Sequence, residues 1–155
     1  MRKKLLLAFI IIISIPAFSQ TYIMTNNGSD STCSGVFLDP GGTGNYQNNL
    51  NYVYTLCPST PGSFIQLDFT MFDVEAGWDY LAIYDGGNTA SPLIGQFDGN
   101  QLQGLSIVAT NPSGCLTFVF SSDWLFNDAG WSANISCTLP CQIVQANLFS
   151  SNPSI

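Results

Sequence analysis

Histidine is absent from this chain of 155 residues, and its only cationic side chains, Arg2, Lys3 and Lys4, stand together at the start. Without His, neither a Ser-His-Asp nor a Cys-His nucleophile can be assembled. With no Lys or Arg after residue 4, Schiff-base chemistry and Arg-clamped phosphoryl transfer are excluded from the rest of the chain. The same lack opposes nucleic-acid binding, because phosphate contacts need cations, and an acidic surface is repelled by anionic membranes. What is present is acidic: ten carboxylates, of which Glu75 is the only Glu. No salt bridge within residues 5–155 can neutralise them. Wherever the fold gathers several, it must recruit an outside cation, raise a pKa or bear the repulsion.

Long hydrophobic runs are also lacking. The apolar stretch 5–13 is too short for a bilayer-spanning helix, which needs about 20 residues. Its cationic start, Pro16 and the small-residue pattern Ala17-Phe18-Ser19 read as a secretory signal over 1–19, cleaved before Gln20. A secreted protein without membrane insertion is expected, and the leader suggests a bacterial source. The glycan-acceptor patterns Asn27-Gly28-Ser29 and Asn134-Ile135-Ser136 would then be incidental. The remainder suffices for one domain with a real core.

All five cysteines, Cys33, Cys57, Cys115, Cys137 and Cys141, fall in the exported part, where disulfides persist. Their spacing lacks the paired short gaps of a zinc site. The first expectation is Cys33 with Cys57, closing a loop that contributes roughly 3 kcal/mol by chain entropy. The second is Cys115 with Cys137. In that pair Cys115 shares strand parity with Thr117 and Val119, whereas Cys137 shares it with Trp131 and Ile135, so a bulge or strand end is needed to make them meet. Pairing of either with Cys141 is the alternative. One cysteine is left over in every scheme.

No sustained helical period follows the leader; short alternating segments do. Ile65, Leu67 and Phe69 share one strand face, as do Leu81 and Ile83, then Leu116, Phe118 and Phe120, then Trp131, Ala133 and Ile135. Between them lie Asp39-Pro40-Gly41-Gly42, residues 58–62, Asp85-Gly86-Gly87 and residues 111–114, all rich in turn formers. An all-β sandwich is expected, as one domain over 20–137. Residues 138–155 read as a linker and the start of a further domain, with a strand over 143–149.

The chemistry concentrates in Phe69-Thr70-Met71-Phe72-Asp73-Val74-Glu75-Ala76-Gly77-Trp78-Asp79-Tyr80-Leu81-Ala82-Ile83-Tyr84-Asp85-Gly86. A strand ends near Phe72 and another starts at Tyr80, so Glu75 and Asp79 sit at one connection. Together with Tyr46-Gln47-Asn48-Asn49, Leu93-Ile94-Gly95, Phe120-Ser121-Ser122-Asp123 and Gly130-Trp131-Ser132-Ala133, this run resembles the CUB domain family from about Cys33 to Cys137. The resemblance implies an antiparallel, jelly-roll type β-sandwich. It also implies a Ca2+ site at Glu75, Asp79 and Asp123, with further oxygens from Asn127, the Leu125 carbonyl or Asp128. Calcium takes 6 to 8 oxygens, and three loop carboxylates without a cation to pair them supply the charge it needs. The family usually places its Asn one residue nearer the Asp, where this chain has Phe126. Many members also staple the loop between the metal-binding Glu and Asp to a Leu-Cys-Gly segment. Here the two segments are Ala76-Gly77-Trp78 and Leu93-Ile94-Gly95, so both cysteines are missing together.

The function implied is a non-catalytic recognition module of a larger extracellular or cell-surface protein, mediating protein-protein interaction or adhesion by binding the Lys or Arg side chains of a protein partner. A second reading is a glycan- or matrix-binding module using Trp78 and Trp124, which otherwise pack beneath the loops. A third is a non-catalytic spacer beside a peptidase or adhesin. The one surviving enzyme class is a glycosidase with Glu75 as acid and Asp79 or Asp123 as partner. It needs a deep cleft that a domain of this size hardly supplies.

Overall fold

The computed structural model describes residues 20–140. The leader, Cys141 and the strand expected over 143–149 lie outside them. Ten strands form: β1 (Thr21–Ile23), β2 (Gly28–Ser31), β3 (Ser34–Leu38), β4 (Asn51–Cys57), β5 (Phe64–Asp73), β6 (Tyr80–Tyr84), β7 (Leu93–Phe97), β8 (Ser106–Val108), β9 (Leu116–Ser121) and β10 (Gly130–Thr138). They make two five-stranded sheets, ordered β1-β3-β10-β5-β8 and β2-β4-β9-β6-β7. Most neighbours run antiparallel, while β1 with β3 and β2 with β4 are parallel. Only the β6–β7 connection stays within one sheet; every other connection crosses between the layers. Loops at either end of the sandwich therefore bridge the two sheets.

All four alternating segments turn their apolar sets inward. Ile65, Leu67, Phe69, Leu81, Ile83, Leu116, Phe118, Phe120, Trp131, Ala133 and Ile135 are all buried. Trp131 lies at the centre of the core, its ring 5.1 Å from that of Phe120 and 6.0 Å from that of Phe37. In β5 the period of two breaks after Phe69: Ser132 faces Met71 but Ala133 faces Phe69, which leaves Thr70 as a bulge. The extra residue turns Phe72 and Val74 inward, where an unbroken strand would send them to solvent. Gln103 satisfies the disturbed backbone, donating to Thr70 O at 2.9 Å and accepting from Phe72 N at 2.8 Å.

The disulfides differ from both expected pairings. Cys33 bonds Cys137, and Cys57 bonds Cys115. Register explains each. Ser34 of β3 faces Ser136 of β10, so the next residues outward, Cys33 and Cys137, are neighbours across the same antiparallel pair. Leu56 of β4 faces Leu116 of β9, and the next step joins Cys57 to Cys115. Cys57 does lie beside the chain that leads to Cys33, since Ser31 of β2 faces it and Thr32 N donates to its carbonyl at 2.9 Å, but each cysteine is bonded across its own antiparallel pair instead. Cys115 with Cys137 would have had to reach from one sheet to the other. The parity mismatch between Cys115 and Cys137 is real. Cys137 packs against the core with Ile135, while Cys115 and Thr117 lie on the outer side of β9, where Thr117 Oγ1 meets Thr55 Oγ1 at 2.9 Å.

Candidate metal centre

Both disulfides close one end of the sandwich; the acids gather at the other. Tyr80 of β6 faces Ser121 of β9, so the residues just beyond, Asp79 and 122–123, come together by strand pairing alone. Glu75 arrives from the opposite sheet, since the six residues 74–79 carry the chain from β5 across to β6. One carboxylate oxygen from each of Glu75, Asp79 and Asp123 lies within 4.8 Å of the others.

Asp79 anchors the group. It is buried, with Oδ2 accepting from the Tyr46 hydroxyl at 2.7 Å and Oδ1 accepting from Asp123 N at 2.6 Å. The Tyr46 hydroxyl in turn accepts from Glu75 N at 3.0 Å, so one buried phenol fixes the start of the Glu75 loop and the side chain that ends it. Desolvation pushes the Tyr46 hydroxyl pKa well up, so it stays a donor at any physiological pH. Asp123 Oδ1 accepts from Leu125 N at 2.8 Å, and Asp123 O accepts from Asn49 N at 2.6 Å, tying the 122–125 loop to 46–50.

Glu75 is held differently. Its Oε2 is buried and has no hydrogen-bond partner among the described residues. Desolvation, followed by the charges of Asp123, Asp79 and Asp128, raises its pKa. A buried carboxylate oxygen without a donor, beside two further carboxylates, is the arrangement a hard divalent cation relieves. The three acids therefore fit calcium.

The remaining candidates are placed less directly. Asn127 is engaged by other amides: its Nδ2 donates to Asn48 Oδ1 at 2.9 Å, and its Oδ1 accepts from Asn45 Nδ2 at 3.2 Å. Asp128 stands outside the three-oxygen group; its carbonyl accepts from Tyr46 N, and desolvation with the charges of Asp73 and Asp79 raises its pKa. Leu125 reaches the site through its N–H, as described above. Trp78 and Trp124 do not pack beneath the loops; they are 69% and 71% exposed. With Leu125, Phe126, Glu75 and Asp123 they line a cavity of about 230 Å3 above the acids.

In place of a disulfide staple, backbone and a carboxylate strap the short loop. Val74 pairs with Gly99, and Gly77, at φ +81°, donates to Asp98 Oδ2 at 2.6 Å. Sequence reasoning missed Tyr46 as a positioning residue, although it heads one of the quoted motifs. It also read Asp39 only as a turn former. Asp39 is fully buried, its Oδ1 accepting from Gly41 N at 2.6 Å and its Oδ2 from Trp131 N at 3.2 Å; burial raises its pKa to about 6 against those bonds.

Comparison with known proteins is consistent with this geometry. The family model for the CUB domain matches residues 27–135. Human cubilin is 33% identical over 122 residues, covering 76% of this chain and 3% of cubilin. Human neuropilin-1 is 31% identical over 131 residues, covering 78% of this chain and 13% of its own length. The chain thus spans a small part of these relatives. They are animal proteins, and the bacterial source suggested by the leader finds no support in them. Among solved structures, the CUB1-EGF-CUB2 domain of human MASP-1/3 aligns with a TM-score of 0.61 at 21% identity, covering 74% of this chain and 43% of that one. The MASP-1 CUB2 domain bound to Ca2+ aligns at 0.58 and 20% identity, covering 72% and 99%.

Proposed function

Because the chain belongs to the CUB domain family, we propose that it is a secreted, non-catalytic recognition module whose binding loops are held by calcium at Glu75, Asp79 and Asp123. The observation that carries this reading is the buried, unpartnered Glu75 Oε2 beside two other carboxylates in a fold that has no cation of its own to offer. The MASP-1 CUB2 domain solved with Ca2+ shares the fold and supports the choice of ion. Calcium would join the 74–79 loop of one sheet to the 122–125 loop beside it. Asn127, Asp128 and the Leu125 carbonyl are the candidates for completing its oxygen shell.

The partner is a protein presenting Lys or Arg. Carboxylate oxygen left over from the metal accepts the cation, while Trp124, Leu125 and Phe126 cover its aliphatic stem. A short Lys-containing peptide tests this. Simple charge attraction would strengthen on removing calcium, because the surface becomes more negative. The proposed function requires the reverse: binding in calcium, lost in chelator and lost on Asp123→Ala. Binding that survives or tightens in chelator overturns it.

A further inference from the structure

A second cavity, of about 370 Å3, opens on the other side of the 74–79 loop. Trp78, Tyr80, Gln96, Phe97, Asp98 and Gln101 line it, and only Trp78 is shared with the cavity above Glu75 and Asp123. Its volume falls within the range of small-ligand sites. Its walls come from four elements: the 74–79 loop, the start of β6, the edge strand β7 and the turn that follows β7. We propose that this cavity is a saccharide site for a neutral sugar, with Trp78 as the stacking platform and Gln96, Asp98 and Gln101 as the hydroxyl-binding groups.

The chemistry is specific to that class. A hexose carries an apolar C–H face and a rim of hydroxyls. An exposed indole offers its electron-rich face to the first, and amides and a carboxylate offer paired donors and acceptors to the second. Asp98 uses Oδ2 on Gly77 N, leaving Oδ1 as an acceptor for ligand hydroxyls. Gln101 accepts from Asp98 N through Oε1 at 3.2 Å, leaving its amide NH2 as a donor. Gln96 faces solvent from the edge strand. These contacts also pre-organise the wall. The Gly77–Asp98 bond and the Val74–Gly99 pairing fix the loop carrying Trp78 against the turn carrying Gln101, so little ordering is left for a ligand to impose. The sugar must be neutral because Asp98 lines the cavity and no Lys, Arg or His stands in residues 20–140 to pair a sialate, uronate or sulfate.

The test is calorimetric titration of the full secreted chain with methyl glucoside, methyl mannoside, methyl galactoside and chitobiose, set against sialyllactose. Saturable binding of at least one neutral sugar is expected, weakened at least tenfold by Gln96→Ala and by Gln101→Ala, and lost in Trp78→Ala. The calcium-dependent rise in Tm should persist in the two glutamine variants, which separates this site from the metal centre and controls for folding. If none of the neutral sugars binds, the inference falls. It falls equally if sialyllactose binds as well as they do, or if both glutamine variants bind like the parent. None of these outcomes bears on the calcium reading.

Discussion

The Tyr46 hydroxyl donates to Asp79 Oδ2 at 2.7 Å and accepts from Glu75 N at 3.0 Å, linking two acids that lie on either side of the loop between the sheets. The Tyr46 ring also meets Phe120 edge-on, with centroids 4.9 Å apart, and Phe120 packs on Trp131. The acid cluster is therefore braced directly by the centre of the core. Its shape is set by packing as well as by any ion it holds.

Tyr46→Phe keeps the ring packing and removes both hydrogen bonds. It should lower stability by about 1–3 kcal/mol, the cost of leaving buried polar groups unpaired. Urea denaturation in chelator measures that loss. Calcium affinity should weaken as well, because Asp79 is no longer oriented. Unchanged affinity would mean that the phenol is structural only.

Removing the disulfides tests the pairing. Cys33 and Cys137 are 104 residues apart and Cys57 and Cys115 are 58 apart. Replacing either pair by Ala should cost about 2–5 kcal/mol, the longer loop about 0.5 kcal/mol more by chain entropy. Non-reducing peptide mapping should recover Cys33 with Cys137 and Cys57 with Cys115. A Cys33–Cys57 peptide would contradict the pairing across β3–β10 and β4–β9.

Gly130 is one of the tightly constrained glycines of the fold. It adopts φ +74°, and a Cβ there would lie 2.2 Å from Asp39 Cγ. Gly130→Ala should therefore destabilise by roughly 3 kcal/mol or more, through backbone strain and a clash with a buried side chain. A Tm within a few degrees of the parent would show that the Asp39 pocket is looser than described.

Asp39 makes stability depend on pH with a sign opposite to that of most carboxylates. Burial raises its folded pKa from 3.8 to about 6. The folded state thus holds the proton more tightly than the unfolded chain. The contribution is fully present below about 3.8 and is lost as pH rises through about 6. Asp68 and Asp85, lowered by their hydrogen bonds to Ser106 and Gln66 and to Thr110 and Asn111, act in the other direction as pH falls. Asp39→Asn isolates the first effect. In chelator, the parent should lose more stability than the variant between pH 4 and 6.5, by at most about 3 kcal/mol. Parallel pH profiles would contradict the shifted pKa.

How much could be read in advance depended on whether the signal was local. Alternation in β5, β6, β9 and β10 identified the core faces, because burial on one side imposes a period of two on the sequence itself. In β4 the period is blurred: Tyr52, Tyr54 and Leu56 face the core, but Val53 and Cys57 make the other face apolar too, so the segment does not read plainly as a strand. The Thr70 bulge was missed for a different reason, since its partner Gln103 lies 33 residues along the chain. The disulfides required knowledge of which strands share a sheet, and sequence spacing does not hold it. Glu75, Asp79 and Asp123 were found through ordered motifs. Tyr46 acts from 29 and 33 residues away and carries no charge to draw attention. Asp39 sits in a Pro-Gly-Gly turn that reads as surface, and it is buried because Gly130 and Trp131 of β10 close over its carboxylate.

Calorimetric thermal scans of the protein in calcium and in chelator test the central claim most directly. With free calcium tenfold above its dissociation constant, the folded state should gain about 1.4 kcal/mol and Tm should rise. The rise should vanish in Asp79→Ala and in Asp123→Ala. Superimposable scans of the parent protein in calcium and in chelator would contradict the account.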